Sequence, residues 1–70
     1  MKNKRLKIAR IERDMSQEDL AKAVGVTRQT IGAIEGGNYN PTLKLCIQIC
    51  RATEKTLNDL FWEEEYDEKE

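Results

Sequence analysis

Apolar residues come along this chain in short clusters with helical spacing, and polar residues able to cap a helix stand between them. Leu6, Ala9 and Arg10 fall on one face of a helix over residues 4–13, with Arg13 beyond, and Ile8 and Ile11 fall on another. Two apolar faces on so short a helix leave its orientation open. One of them is available to cover the chain termini or a second subunit. After Asp14 and Met15, Ser16 is placed to cap a second helix whose stripe is Leu20, Ala21 and Val24. Asp19 stands where a capping box needs its acid, and Gln17, Glu18 and Asp19 suit the positive end of the helix dipole. Gly25 then takes the left-handed position that ends a helix, with Val26 folding back as its apolar partner. A β-branched residue at Gly25 would be strained there.

Thr27 caps a third helix over residues 28–35, with Ile31 and Ile34 inward. Residues 36–41, Gly-Gly-Asn-Tyr-Asn-Pro, form a loop. Thr42 caps a fourth helix, whose expected stripe is Leu43, Cys46, Ile47 and Cys50, with Leu45 and Ile49 beside it. Glu54-Lys55 makes a turn without glycine. Thr56 caps a last short helix that carries Leu57, Leu60, Phe61 and Trp62. The fold class is therefore all-α. There is no internal repeat and no hairpin signal. Only residues 2–4 and 62–66 could pair, as a short terminal strand pair.

The second and third helices, joined at Gly25, have the spacing of a helix-turn-helix over about residues 16–35. The outer face of the third helix carries Arg28, Gln29, Gly32 and Ala33. It opens with two long hydrogen-bonding side chains and continues with almost nothing. Gly32 in mid-helix costs roughly 1 kcal/mol against alanine. Close approach of another surface, such as DNA, is a motive for it.

The 70 residues are enough for one small domain, 1–62, followed by an acidic tail, 63–70. A chain of this size buries only about 60% of the surface its unfolded form exposes, so tidy helix packing or a partner subunit is needed. No apolar run reaches the roughly 18 residues of a membrane span, and the basic start MKNKRLK lacks the apolar stretch of a signal peptide. The expected location is the cytoplasm. The net charge of −1 averages unlike regions: +5 over residues 1–13, −1 over 14–61 and −5 over 62–70. A phosphate backbone responds to the local distribution rather than to the sum. Cys46 and Cys50, at i and i+4 on one helix, have Cβ atoms about 5–6 Å apart. A disulfide needs roughly 3.5–4.5 Å. With no histidine in the chain, no metal site is expected, and the cysteines read as small buried hydrophobes. The lack of histidine and of a glycine-rich phosphate loop, in so small a chain, also argues against an enzyme. No cofactor is expected.

From Leu6 to Phe61 the sequence resembles the Cro/cI-type helix-turn-helix domain, also called the xenobiotic-response-element-like family. The resemblance is carried by Arg10, Ser16-Gln17, Leu20-Ala21, Gly25-Val26-Thr27, Ile31, Ile34-Glu35 and Tyr39-Asn40-Pro41-Thr42-Leu43. The smallest members of the family are free-standing homodimeric repressors. The resemblance implies a compact five-helix lambda-repressor-like domain whose third helix enters the major groove of double-stranded DNA. By position, Arg28, Gln29, Thr30 and Gln17 would read bases. Thr27, Asn38, Tyr39 and Lys7 would contact phosphate, and Arg10 with Glu35 would form a structural ion pair. The chain departs from the family in lacking a basic residue at Gly36 or Asn38 and in placing only Ala33 late in the recognition helix. Readout then falls on the first turn, and phosphate attraction on the N-terminal basic cluster, Lys22 and Lys44.

Each of these residues has a plainer role open to it. Arg28 and Gln29 could be ordinary solvated side chains, Gln17 suits an exposed first turn, and Tyr39 could pack on its loop. Leu57, Leu60, Phe61 and Trp62 could close the monomer core or form a dimer surface. The expected function is a transcriptional repressor binding a palindromic operator as a homodimer through the fourth and fifth helices and the C-terminal segment. The alternative is an antitoxin that neutralises an unidentified protein partner and autoregulates its own promoter, with the acidic tail serving that contact. No membrane partner is expected.

Overall fold

The computed structural model describes residues 2–61. Five helices follow one another: α1 (Lys4–Glu12), α2 (Gln17–Val24), α3 (Arg28–Gly36), α4 (Leu43–Thr53) and α5 (Leu57–Leu60). There is no strand among the described residues, and Lys4 already belongs to α1. The other half of the expected terminal pair, residues 62–66, lies outside them, as do Trp62 and the acidic tail.

Local chemistry starts every helix. Asn3, Ser16, Thr27, Thr42 and Thr56 each accept, through a side-chain oxygen, the backbone N–H of the residue three further on. Ser16 with Asp19 and Thr56 with Asp59 complete reciprocal capping boxes. Both aspartates are held below the usual carboxylate range, chiefly by the backbone N–H bonds they accept from Ser16 and Thr56.

Left-handed residues end the first four helices. Met15 N–H reaches back to Arg10 O, Val26 to Ala21 O, Asn38 to Ala33 O and Lys55 to Cys50 O. These six-to-one closures need a positive φ at the preceding residue. Gly25 (φ 79°) and Gly37 (φ 83°) supply it without strain, while Asp14 (φ 57°) and Glu54 (φ 58°) supply it against steric preference. Gly36 is thus the last helical residue rather than the first loop residue, and the turn lacking glycine is built on Glu54. Aspartate tolerates this region better than glutamate does. Glu54→Gly is therefore expected to raise stability by about 1 kcal/mol. The Arg13–Glu54 ion pair it removes, 3.1 Å long and exposed, contributes little. A thermal melt checks this, and a lower midpoint would refute it.

The core is built from all the helices. Leu6, Leu20, Ile31 and Ile49 are wholly buried, with Ala9, Ala21, Val24, Ile34, Leu45, Cys50 and Leu60 around them. α2 packs against both α3 and α4, and α5 closes the bundle against α1 and α4. On α1 the face of Leu6, Ala9 and Arg10 turns inward, and Ile8 and Ile11 stay exposed. On α4 the expected stripe needs correction. Leu45, Cys46, Ile49, Cys50 and Thr53 are buried, while Leu43 (65% exposed) and Ile47 (36%) face outward. The α4 pattern was apolar over too wide an arc to fix its rotation, and packing against α2 selects one side. Thr53, also buried, donates its hydroxyl to Ile49 O at 2.9 Å, so no polar group is stranded. Cys46 and Cys50 are free and buried, and burial pushes both thiols up.

Candidate nucleic-acid interface

The helix-turn-helix is α2, the turn at Gly25 and α3. Its two apolar stripes meet through Leu20, Ala21, Val24, Ile31 and Ile34, which fixes the outer face of α3 by default. Arg28 and Gln29 are exposed in its first turn. Thr30, beside them, is half-buried. Its hydroxyl lies 3.0 Å from that of Thr27, while its N–H donates to Thr27 Oγ1 at 3.2 Å. These bonds order the start of α3, where unpaired N–H groups and the helix dipole favour an anion such as a phosphate. Asn38 and Tyr39 stand exposed in the loop that follows α3, and Lys7 is exposed on α1.

Behind α3 runs a polar network. Arg10 Nε donates to Glu35 Oε2 at 2.8 Å, and its Nη2 to Glu35 Oε1 at 3.3 Å, so the two side chains meet fork to fork. Arg10 Nη1 donates to Met15 O at 2.8 Å. Both side chains are more than nine-tenths buried. The charge of Arg10 is therefore neutralised inside the domain, and Arg10 is no part of the basic surface that DNA would meet. Gln17 Nε2 donates to Glu35 Oε1 at 3.1 Å, which turns the Gln17 side chain back against α3.

Gly32 now has a neighbour. A Cβ there would meet the Gln17 amide oxygen at 3.6 Å and nitrogen at 3.7 Å, ordinary van der Waals distances. The fold alone thus leaves room for alanine. Gly32→Ala is expected to raise stability by about 1 kcal/mol through helix propensity. An unaltered or lower melting midpoint would refute this.

Asn3 carries no sign of its importance in the sequence. Besides capping α1, its side-chain nitrogen donates to Leu60 O at 2.9 Å, and its backbone N–H to Glu35 O at 2.9 Å. It therefore joins the end of α3 to the end of α5. Of the residues expected at a dimer surface, Leu60 is only 3% exposed and belongs to the monomer core. Leu57 is 38% exposed, and Phe61 is half-buried against the core.

A short capped helix, a left-handed turn and a second helix with a polar, open outer face define a helix-turn-helix DNA-binding protein. A family model described as helix-turn-helix matches residues 6–60. The chain belongs to this Cro/cI-type family of transcriptional regulators, which are DNA-binding proteins and not enzymes. It is 51% identical over 65 residues to YgzD of Bacillus subtilis, an uncharacterised helix-turn-helix-type transcriptional regulator, covering 93% of this chain and 97% of that one. A regulator of the same description from Methanocaldococcus jannaschii, MJ0272, is 51% identical over 61 residues, covering 87% and 91%. Among solved structures, the restriction-modification controller protein C.AhdI of Aeromonas hydrophila matches with a TM-score of 0.76 and 32% identity, over 81% of this chain and 86% of that one. No helix among the described residues is long and apolar enough to cross a membrane.

Proposed function

We propose that this regulator is a repressor that binds a palindromic operator as a homodimer, with the first turn of α3 in the major groove. The observation that carries this is the asymmetry of the outer face of α3. Arg28 and Gln29 are exposed at its start, and Gly32 and Ala33 follow with no long side chain. A helix built this way can bring its first turn close to base edges. Arginine reads the O6/N7 edge of guanine and glutamine the N6/N7 edge of adenine. Thr30 and Gln17 extend that readout, and Thr27, Asn38, Tyr39 and Lys7 hold the phosphates on either side. The likeness to a restriction-modification controller protein supports a regulatory role.

One such domain reads a single half-site, and a two-fold dimer doubles the contact, with half-sites about 34–36 Å apart. Leu57 on α5 and the outward Leu43 and Ile47 on α4 supply exposed apolar surface for the partner copy. Selection of bound sequences from random duplexes tests the whole proposal, together with light scattering of the protein at micromolar concentration. The expected result is a two-fold symmetric consensus and twice the chain mass. A consensus without symmetry, or a monomer mass both free and on DNA, would refute the homodimer.

A further inference from the structure

We propose that Glu35 is a positioning residue for DNA reading: it holds the Gln17 side-chain amide over Gly32 with its nitrogen toward the carboxylate, leaving Oε1 and one N–H for a base edge such as that of adenine. This rests on α3 being the groove-facing helix.

Glu35, paired with Arg10, is a carboxylate and can only accept hydrogen bonds. The Gln17 amide must therefore give it nitrogen, which settles the orientation that glutamine geometry alone leaves open. A Cβ on Gly32 would lie 3.6 Å from Gln17 Oε1, 3.7 Å from Nε2 and 3.9 Å from Cδ. Oε1 and Nε2 both lie nearer that point than Cδ does, so the amide leans its polar end toward α3. A side chain from α2 thus covers the place where α3 has none. With one N–H given to Glu35, Oε1 and the second N–H remain. An acceptor beside a donor is the pairing glutamine uses on the N6/N7 edge of adenine. The rotamer freedom of a long side chain is already restricted before DNA arrives, which lowers the entropic cost of the contact.

Glu35→Gln is the discriminating variant. Arg10 claims the new carbonyl oxygen, and the new NH₂ group then faces Gln17. Donor meets donor, so the Gln17 amide must turn over or swing away. The test uses the full chain, with the duplex selected by the wild-type protein and duplexes changed one base pair at a time. Affinities are measured below the melting range of every variant. Gln17→Ala is expected to lose about tenfold of its discrimination at one A·T position. Glu35→Gln should lose a similar factor at the same position, and the double variant no more than either. Full discrimination in Glu35→Gln at the position that Gln17→Ala damages would overturn the proposal. Uniform weakening in Gln17→Ala, beside a base-specific loss in Arg28→Ala, would also overturn it while leaving α3 as the reading helix. A wild-type protein that selects no sequence would remove both. The wild-type amide spectrum decides even if Glu35→Gln does not fold. The two Gln17 side-chain protons should be more widely separated than those of exposed Gln29 and Gln48, and an equal separation would overturn the proposal.

Discussion

Glu35→Ala is expected to lower stability by about 3–5 kcal/mol, because it leaves Arg10 charged, buried and without its carboxylate. For a domain of this size that is a fall of roughly 15–30 °C in melting temperature. The loss spreads beyond one ion pair. Arg10 keeps only Met15 O, and Gln17 loses its acceptor. The cost is asymmetric, since an orphaned buried charge is worse than no charge at all. Arg10→Met combined with Glu35→Leu should therefore recover much of what the single change loses. Thermal denaturation followed by circular dichroism checks both, and a single variant melting like the wild type would show that the network contributes little.

Arg28→Ala and Gln29→Ala are expected to act on binding and to leave the fold alone. Both side chains are exposed, so the melting curves should be unchanged. On the selected duplex each should remove about 1–3 kcal/mol of discrimination at one base pair, a factor of about 5–150, with little effect at the others. Lys7→Ala should behave differently. It is expected to weaken all duplexes alike and to reduce the slope of log affinity against log salt by about one. Binding titrations at several salt concentrations separate the two patterns. Uniform loss in Arg28→Ala would reassign that residue to phosphate.

The helix starts were legible because capping is local. Ser16, Thr27, Thr42 and Thr56 announce themselves by side-chain type, and Gly25 by its lack of one. Asn3 has the same cap chemistry but stands among lysines, with no apolar stripe to point at it. Its further partners, Glu35 O and Leu60 O, are dozens of residues away. Periodicity put Leu6 and Ala9 on one face of α1 and Ile8 and Ile11 on another but did not choose between them, as two apolar faces on one helix cannot. It failed on α4, where Leu43 and Ile47 looked as buried as Cys46 and Cys50. Glu54 was obscure for another reason: its left-handed turn is imposed by the chain path and not by its own preference. On α3, Arg28 and Gln29 could be picked out as exposed because its inward side is unambiguous. The orientation of Gln17 could not, because its acceptor arrives from another helix.

The bonds of Asn3 bear on how the protein would measure distance. Through this one residue the end of the recognition helix and the end of α5 are tied to the same point. In a dimer built on α4 and α5, no flexible linker then separates the reading surface from the partner. The gap between the two recognition helices becomes a dimension of the folded chain, set by its interior bonds. Such a pair acts as a gauge of fixed length. Inserting or deleting one base pair between half-sites displaces and rotates the second site together, and the protein has no slack with which to follow.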